Sequence, residues 1–213
     1  MDTIIKDMNP VLQMLIVMTV FSLLPLVFCC MTSFLRFVIV FSMLKTAMGT
    51  QQVPPSVVIV GLAMILTFYT MGGTFQKMYE MGSVPYQKNQ NIVEAINEGS
   101  KPLKEFMLKQ TRESDIAFFV QMSKGEAPAN PEELTVWQVA PAFIISELKT
   151  SFEIGFIIFV PFIVLDLVVA NILLALGMFM LSPTIISMPF KLLIFIAVDG
   201  WALIVQGLVT SYN

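Results

Sequence analysis

Apolar residues run through this chain in four long blocks separated by polar or Pro/Gly-rich breaks. The first block runs from about Val11 to Leu44 and the second from Val53 to Phe75. The third spans Trp137 to about Leu176, and the fourth Thr184 to Leu208. A helix that crosses a bilayer needs roughly 20 apolar residues. The pattern therefore predicts membrane-inserted helices. The first and third blocks exceed one span, so kinked or extended helices are expected there, with Pro25 and Pro161 at the kink positions.

The breaks have their own logic. Between blocks one and two, Gly49 and the pair Pro54–Pro55 end one helix and let the next begin, which predicts a tight helical hairpin. Gly177, Ser182–Pro183 and Pro189 do the same between blocks three and four. Residues 76–136 are different in kind. They hold seven of the twelve Lys/Arg and nine of the fifteen Asp/Glu, the mark of a solvated insert. Its best helix is expected to start at Ser100 as N-cap, with Pro102 in the first turn and Glu105 four residues before Lys109. Gly125–Pro131 reads as a loop back to the apolar blocks. The chain is thus expected to be all-α, with three regions: residues 1–75 as an N-terminal helix and first hairpin, 76–136 as the polar, mainly helical insert, and 137–213 as the second hairpin.

Composition sharpens the class. Hydrophobic residues make up 56% and charged residues 13%, against about 25% charged in soluble domains. The deficit excludes an ordinary soluble fold. The net charge is −3 and histidine is absent, so no basic face is offered to nucleic acid and the commonest metal ligand and general base is missing. No nucleophile–base set, Walker-type loop or HExxH motif appears, and no enzyme activity, cofactor or metal is expected. Cys29 and Cys30 are adjacent in an apolar run and read as small hydrophobes. At the start, Asp2 and Asp7 offset Lys6 and no A-x-A-like site follows, which predicts an uncleaved anchor. Lys45 and Lys191 near the hairpin tips favour cytoplasmic tips, which leaves the insert outside the cytoplasm.

Charges in the apolar blocks carry the next inference. They are Arg36, Glu147, Lys149, Glu153, Asp166, Lys191 and Asp199. Each costs roughly 2.5–3.5 kcal/mol at a helix centre facing lipid, so they should face protein or water. Lys149 and Glu153 are four apart and are expected to pair on one helix. Glu147 points to another face, and Lys191 is the basic residue of the fourth block, so a Glu147–Lys191 pair is expected, within the chain or across a subunit boundary. Spacing names no partner for Arg36, Asp166 or Asp199, which are expected at interfaces or in aqueous contact. Met178, Phe179 and Met180 lie beside Gly177 at a break in helical continuity. Irregular backbone at membrane depth belongs inside protein or along a cavity. Flexible methionines there suit either a deformable hydrophobic seal or ordinary core filling.

Four stretches carry a family resemblance: MTSFLRFVIVFSMLKTAMGTQQVPPSVVIVGLAMILTF (31–68), PLKEFMLKQTRESDIAFF (102–119), PAFIISELKTSFEIGFIIFVPFIVLDLVVANILLALGMFMLSP (141–183) and MPFKLLIFIAVDGWALIVQGL (188–208). Together the sequence resembles the flagellar export-gate FliP family, related to the SctR subunits of virulence injectisomes. FMLKQTRE looks more like the flagellar branch. The resemblance implies a core subunit of a type III export channel that assembles from about five copies. It implies the partners FliQ and FliR, cooperation with FlhA and FlhB, and passage of unfolded flagellar subunits through an oligomeric channel in the inner membrane of the flagellar basal body, with the insert on the periplasmic side. Energy would come from the proton motive force and an associated ATPase. It places the family's methionine gasket on Met178 and Met180, with Phe179 interrupting the run, and the helical hairpins against other subunits, largely above the bilayer plane. Two readings stand beside it: the injectisome branch, and a small-molecule or ion transporter with repeated halves.

Overall fold

The computed structural model describes residues 10–50, 53–89, 92–122 and 134–212, and among these every regular element is a helix. In chain order they are α1 (Pro10–Met31), α2 (Phe34–Ala47), α3 (Ser56–Asn89), α4 (Ile92–Gln110), α5 (Glu113–Met122), α6 (Val136–Ala175), α7 (Pro183–Ala197) and α8 (Gly200–Thr210). The expected N-terminal anchor signal at residues 1–9 and the whole Gly125–Pro131 loop lie outside the described residues.

The first apolar block is broken, but not at Pro25. That proline lies inside α1, and the chain bends by 70° at Thr32–Ser33 instead. Hydroxyl groups explain the place. Thr32 Oγ1 donates to Phe28 O at 2.6 Å and accepts from the Phe34 amide at 3.3 Å. The Ser33 amide turns to Met71 Sδ at 3.3 Å, and its hydroxyl meets Thr70 Oγ1 at 3.0 Å. Side chains thus take over from the helical ladder, and α3 holds the bend. The third block is continuous: α6 has 40 residues with Pro141 and Pro161 inside it. At 1.5 Å per residue it is roughly 60 Å long, about twice the hydrocarbon thickness of a bilayer. Its start is set by Thr135, whose amide donates to Gln138 Oε1 at 2.9 Å.

The expected turn between α6 and α7 is present, and α2 ends as expected before the first turn, of which residues 51 and 52 lie outside the described residues. Gly49 and Gly177 take left-handed φ values of 77° and 73° just after the ends of α2 and α6, a conformation glycine adopts without cost. The insert departs from expectation. Helix α3 runs past residue 75 without a break, and α4 starts at Ile92, so Ser100 is interior and its hydroxyl donates back to Asn97 O at 2.9 Å. An ion pair on α4 joins Lys101 to Glu98 at 2.6 Å, and among the described residues Glu105 and Lys109 form no ion pair. Close helix packing extends α4 backwards. A Cβ on Gly82 would lie 3.2 Å from Ala95 O, and one on Gly99 would lie 3.2 Å from Met78 O. The α3–α4 crossing is backbone against backbone. Gly82→Val is expected to lower stability by about 1–3 kcal/mol through overpacking, read as a lower unfolding midpoint in detergent. Gly61→Ala, where a Cβ meets nothing within 4 Å, serves as the tolerant control.

Three apolar clusters join these elements. One packs Phe37, Val40 and Phe41 of α2 on Ile59 and Ala63 of α3 and on Leu208 and Tyr212. A second joins Met71, Leu103, Met107 and Phe143 from α3, α4 and α6. The third holds Leu44 and Ala47 of α2 with Phe162 and Phe195. Among the described residues two helices are long and apolar enough to cross a membrane, or up to four if each bent pair is one span. Most of their apolar windows are not buried within the chain, so that surface is left for lipid or other protein.

Candidate functional site

Helices α2 and α6 face each other across a charged centre that the apolar core surrounds. Arg36 is 3% exposed and Glu147 0%. The pairing is two-pronged: Arg36 Nε donates to Glu147 Oε2 at 2.9 Å, and Arg36 Nη2 to Glu147 Oε1. Arg36 Nη1 reaches Ser211 Oγ at 2.8 Å and Ser211 O at 3.2 Å. The Tyr212 hydroxyl donates to Glu147 Oε2 at 2.6 Å, and the Tyr212 ring lies 3.8 Å below the guanidinium carbon. Burial, and then the Glu147 charge, push the Tyr212 phenol well above its ordinary range, so it stays protonated as a donor. Every oxygen of the buried carboxylate is satisfied, which a buried charge requires.

This corrects the expected Glu147–Lys191 pair. Glu147 belongs to Arg36, and Lys191 belongs elsewhere. Lys191 is 2% exposed. Its ammonium donates to Asp166 Oδ2 at 2.7 Å and to Ala47 O at 3.2 Å, at the C-terminal end of α2 where a cation suits the helix dipole. The Ser187 hydroxyl donates to the other oxygen of Asp166. The Lys149–Glu153 pair is also corrected. Helix α5 and the residue just before it supply the partners instead: Lys149 pairs with Asp115 of α5, and Glu153 with Arg112 at 2.7 Å. Arg36 and Asp166, for which spacing named nothing, both find partners inside the chain. The α2–α6 and α6–α7 charges therefore need no second subunit to be neutralised. Asp199 is exposed and takes a left-handed φ of 52° at the 65° bend between α7 and α8.

The apex between α6 and α7 is a built turn. Met178 N–H donates to Leu173 O at 2.9 Å and Gly177 N–H to Leu174 O at 3.0 Å, the two bonds of a Schellman cap. Helix α7 then opens with Pro183 in its first turn. Met178, Phe179 and Met180 project from this turn, Met180 fully exposed. Beneath them α6 and α7 enclose an apolar groove of about 340 Å³ lined by Leu165, Val169, Leu173, Ile186, Phe190 and Ile194. Among the described residues no three carboxylate or sulfur side chains converge as a metal site needs. The arrangement is an exposed apolar turn carried by helices that buried charges hold together.

The sequence model of the FliP family matches residues 17–208, nine-tenths of the chain. The chain belongs to the FliP family. It is 43% identical over 208 residues to the flagellar biosynthetic protein FliP of Bacillus subtilis, covering 97% of this chain and 94% of that protein. The Caulobacter vibrioides protein of that name is 47% identical over 95% of this chain and 77% of its own length. A Buchnera aphidicola FliP is 46% identical over 94% of this chain, which spans 53% of that longer relative. The FliP family match contains the whole apex and all seven charges singled out above, while Ser211 and Tyr212 lie just beyond it. Residue spacing did not reveal Tyr212, Arg112, Asp115 or Ser187 as members of these clusters. For Ser187 a signal existed, since it stands one helical turn before Lys191 and shares its face.

Proposed function

We propose that this chain is a core subunit of the flagellar type III export gate. It lines the channel through which unfolded flagellar proteins leave the cell. Membership of the FliP family makes it a flagellar biosynthesis component with membrane-compatible helices. The finer reading rests on one observation: a rigidly capped turn that presents Met178, Phe179 and Met180 outward at the tip of two apolar helices. Several copies arranged around an axis, a pentamer in this reading, would bring those side chains together as a pliable ring. Methionine repacks around changing shapes, so such a ring closes against ions and yields to a polypeptide. The outward apolar faces of α3 and α6 are met by neighbouring copies and by FliQ and FliR, and the complex cooperates with FlhA and FlhB. The complex sits in the inner membrane of the flagellar basal body, with residues 76–136 on the periplasmic side.

The test replaces Met178 and Met180 with Ala. The expected result is increased leak of ions or small solutes during secretion, with complex assembly intact. Unchanged permeability would count against the seal. The purified chain is also expected to self-associate in detergent, and a stable monomer would undermine the channel.

A further inference from the structure

The segment after the apex is built like a jointed limb. Its near part, α7, is fixed by the Lys191 ammonium to Asp166 and to Ala47 O. Its joint is the 65° bend at Val198–Asp199, where Asp199 is left-handed and Gly200 leaves room for the Phe195 ring. Trp201 follows the joint, edge-on to Phe195 at 5.5 Å and 6.4 Å from Phe41. The far end is held by Ser211 and Tyr212. Beyond the bonds to Arg36 and Glu147, the Tyr212 carbonyl accepts from Gln110 Nε2 at 3.3 Å, and its ring packs against Phe37 and Phe106. One residue therefore touches α2, α4 and α6 together.

We propose that Tyr212 is a positioning residue of the gate: by donating its hydroxyl to Glu147 and covering Arg36 with its ring, it fixes the far end of the limb and so holds the apex at the near end. The inference rests on the gate reading for the role of the apex, but not for the clamp itself. The buried ion pair gives the clamp its specificity. An apolar side chain at 212 fills the same space, yet leaves one carboxylate oxygen with fewer donors in a site closed to water. Both clamps bridge the same two helices, α6 and α2, one on each side of the joint, so loosening either one frees the limb to turn about Asp199.

The first measurement is hydrogen exchange on the full chain in detergent, with the α3–α4 crossing as internal reference. Tyr212→Phe keeps the ring and removes the hydroxyl. It is expected to raise local opening of α8 roughly tenfold, the loss of one hydrogen bond to a charged group, while α3 and α4 stay unchanged. In an Arg36→Leu/Glu147→Leu background the same substitution is expected to have a much smaller effect, because the hydroxyl has lost its charged acceptor and keeps only Ser33 O at 3.4 Å. Should that background not fold, Glu147→Gln replaces it, and the effect of Tyr212→Phe is expected to shrink. No change in α8 exchange, or equal effects in both backgrounds, would overturn the clamp. The second measurement is solute leak in secreting cells. Tyr212→Phe is expected to leak alongside the Met178/Met180→Ala variant. If the methionine variant leaks and Tyr212→Phe does not, Tyr212 does not position the apex. If neither leaks, the gate reading itself fails while the exchange result still decides the clamp.

Discussion

Replacing Glu147 with Leu is expected to destabilise the chain by about 3–5 kcal/mol, the cost of leaving a buried charge without its partner. At 3% exposure the Arg36 guanidinium cannot reach water. Its remaining acceptors would be Ser211 Oγ and Ser211 O, neither of them charged. Removing both charges as Arg36→Leu/Glu147→Leu is expected to recover most of the loss, since well-packed apolar replacements of buried pairs are often neutral. Arg36→Lys is not a substitute, because the pairing uses Nε and Nη2 on separate carboxylate oxygens and an ammonium has no such fork. Unfolding midpoints in detergent rank the four proteins. A Glu147→Leu variant as stable as the parent would show that the centre is not sealed from solvent.

The second large effect lies at Asp166 and is asymmetric. Lys191 is 2% exposed, whereas the Asp166 side chain is 33% exposed. Asp166→Leu strands an ammonium inside the protein with the Ala47 carbonyl as its remaining acceptor, and is expected to cost about 3–5 kcal/mol. Lys191→Leu strands a carboxylate that keeps Ser187 and has a path to solvent, so about 1–3 kcal/mol is expected. The order of the two variants follows from burial alone and is checked by the same unfolding measurement. Equal losses would mean that Asp166 is covered in the assembled state being measured, and its apparent access to water would then belong to the isolated chain only.

How much of this was legible beforehand depends on how the contact is made. The helical class, the two tight turns and the irregular apex follow from hydrophobic blocks and from Gly49, Gly177 and Pro183. Contacts within a hairpin were also open to reading. Asp166 and Lys191 stand almost equally far on either side of the apex, so an antiparallel register brings them together; Gly82 and Gly99 stand equally far from the point where α3 gives way to α4. The Glu147–Lys191 expectation matched charges by sign and overlooked that register. Arg36, Glu147 and Tyr212 are another matter. They come from three parts of the chain with no shared turn, and only three-dimensional packing of α2, α6 and the segment after α8 unites them. Ser100 misled for a local reason: a good capping residue was read without the adjacent Gly99, whose missing side chain lets α3 approach and carries the helix backwards.

The apex has one more property. Its shape is fixed by two main-chain hydrogen bonds and by the backbone angle of Gly177, while the side chains at 178–180 hold none of it in place. Frame and filling are therefore separable. Residues at these three positions can be exchanged among flexible apolar types with little effect on where the turn sits, which is how a phenylalanine stands between two methionines here. The width and softness of any ring built from this turn is then tunable by substitution, whereas Gly177 is not interchangeable: any residue with a Cβ there strains the left-handed backbone and moves the frame itself.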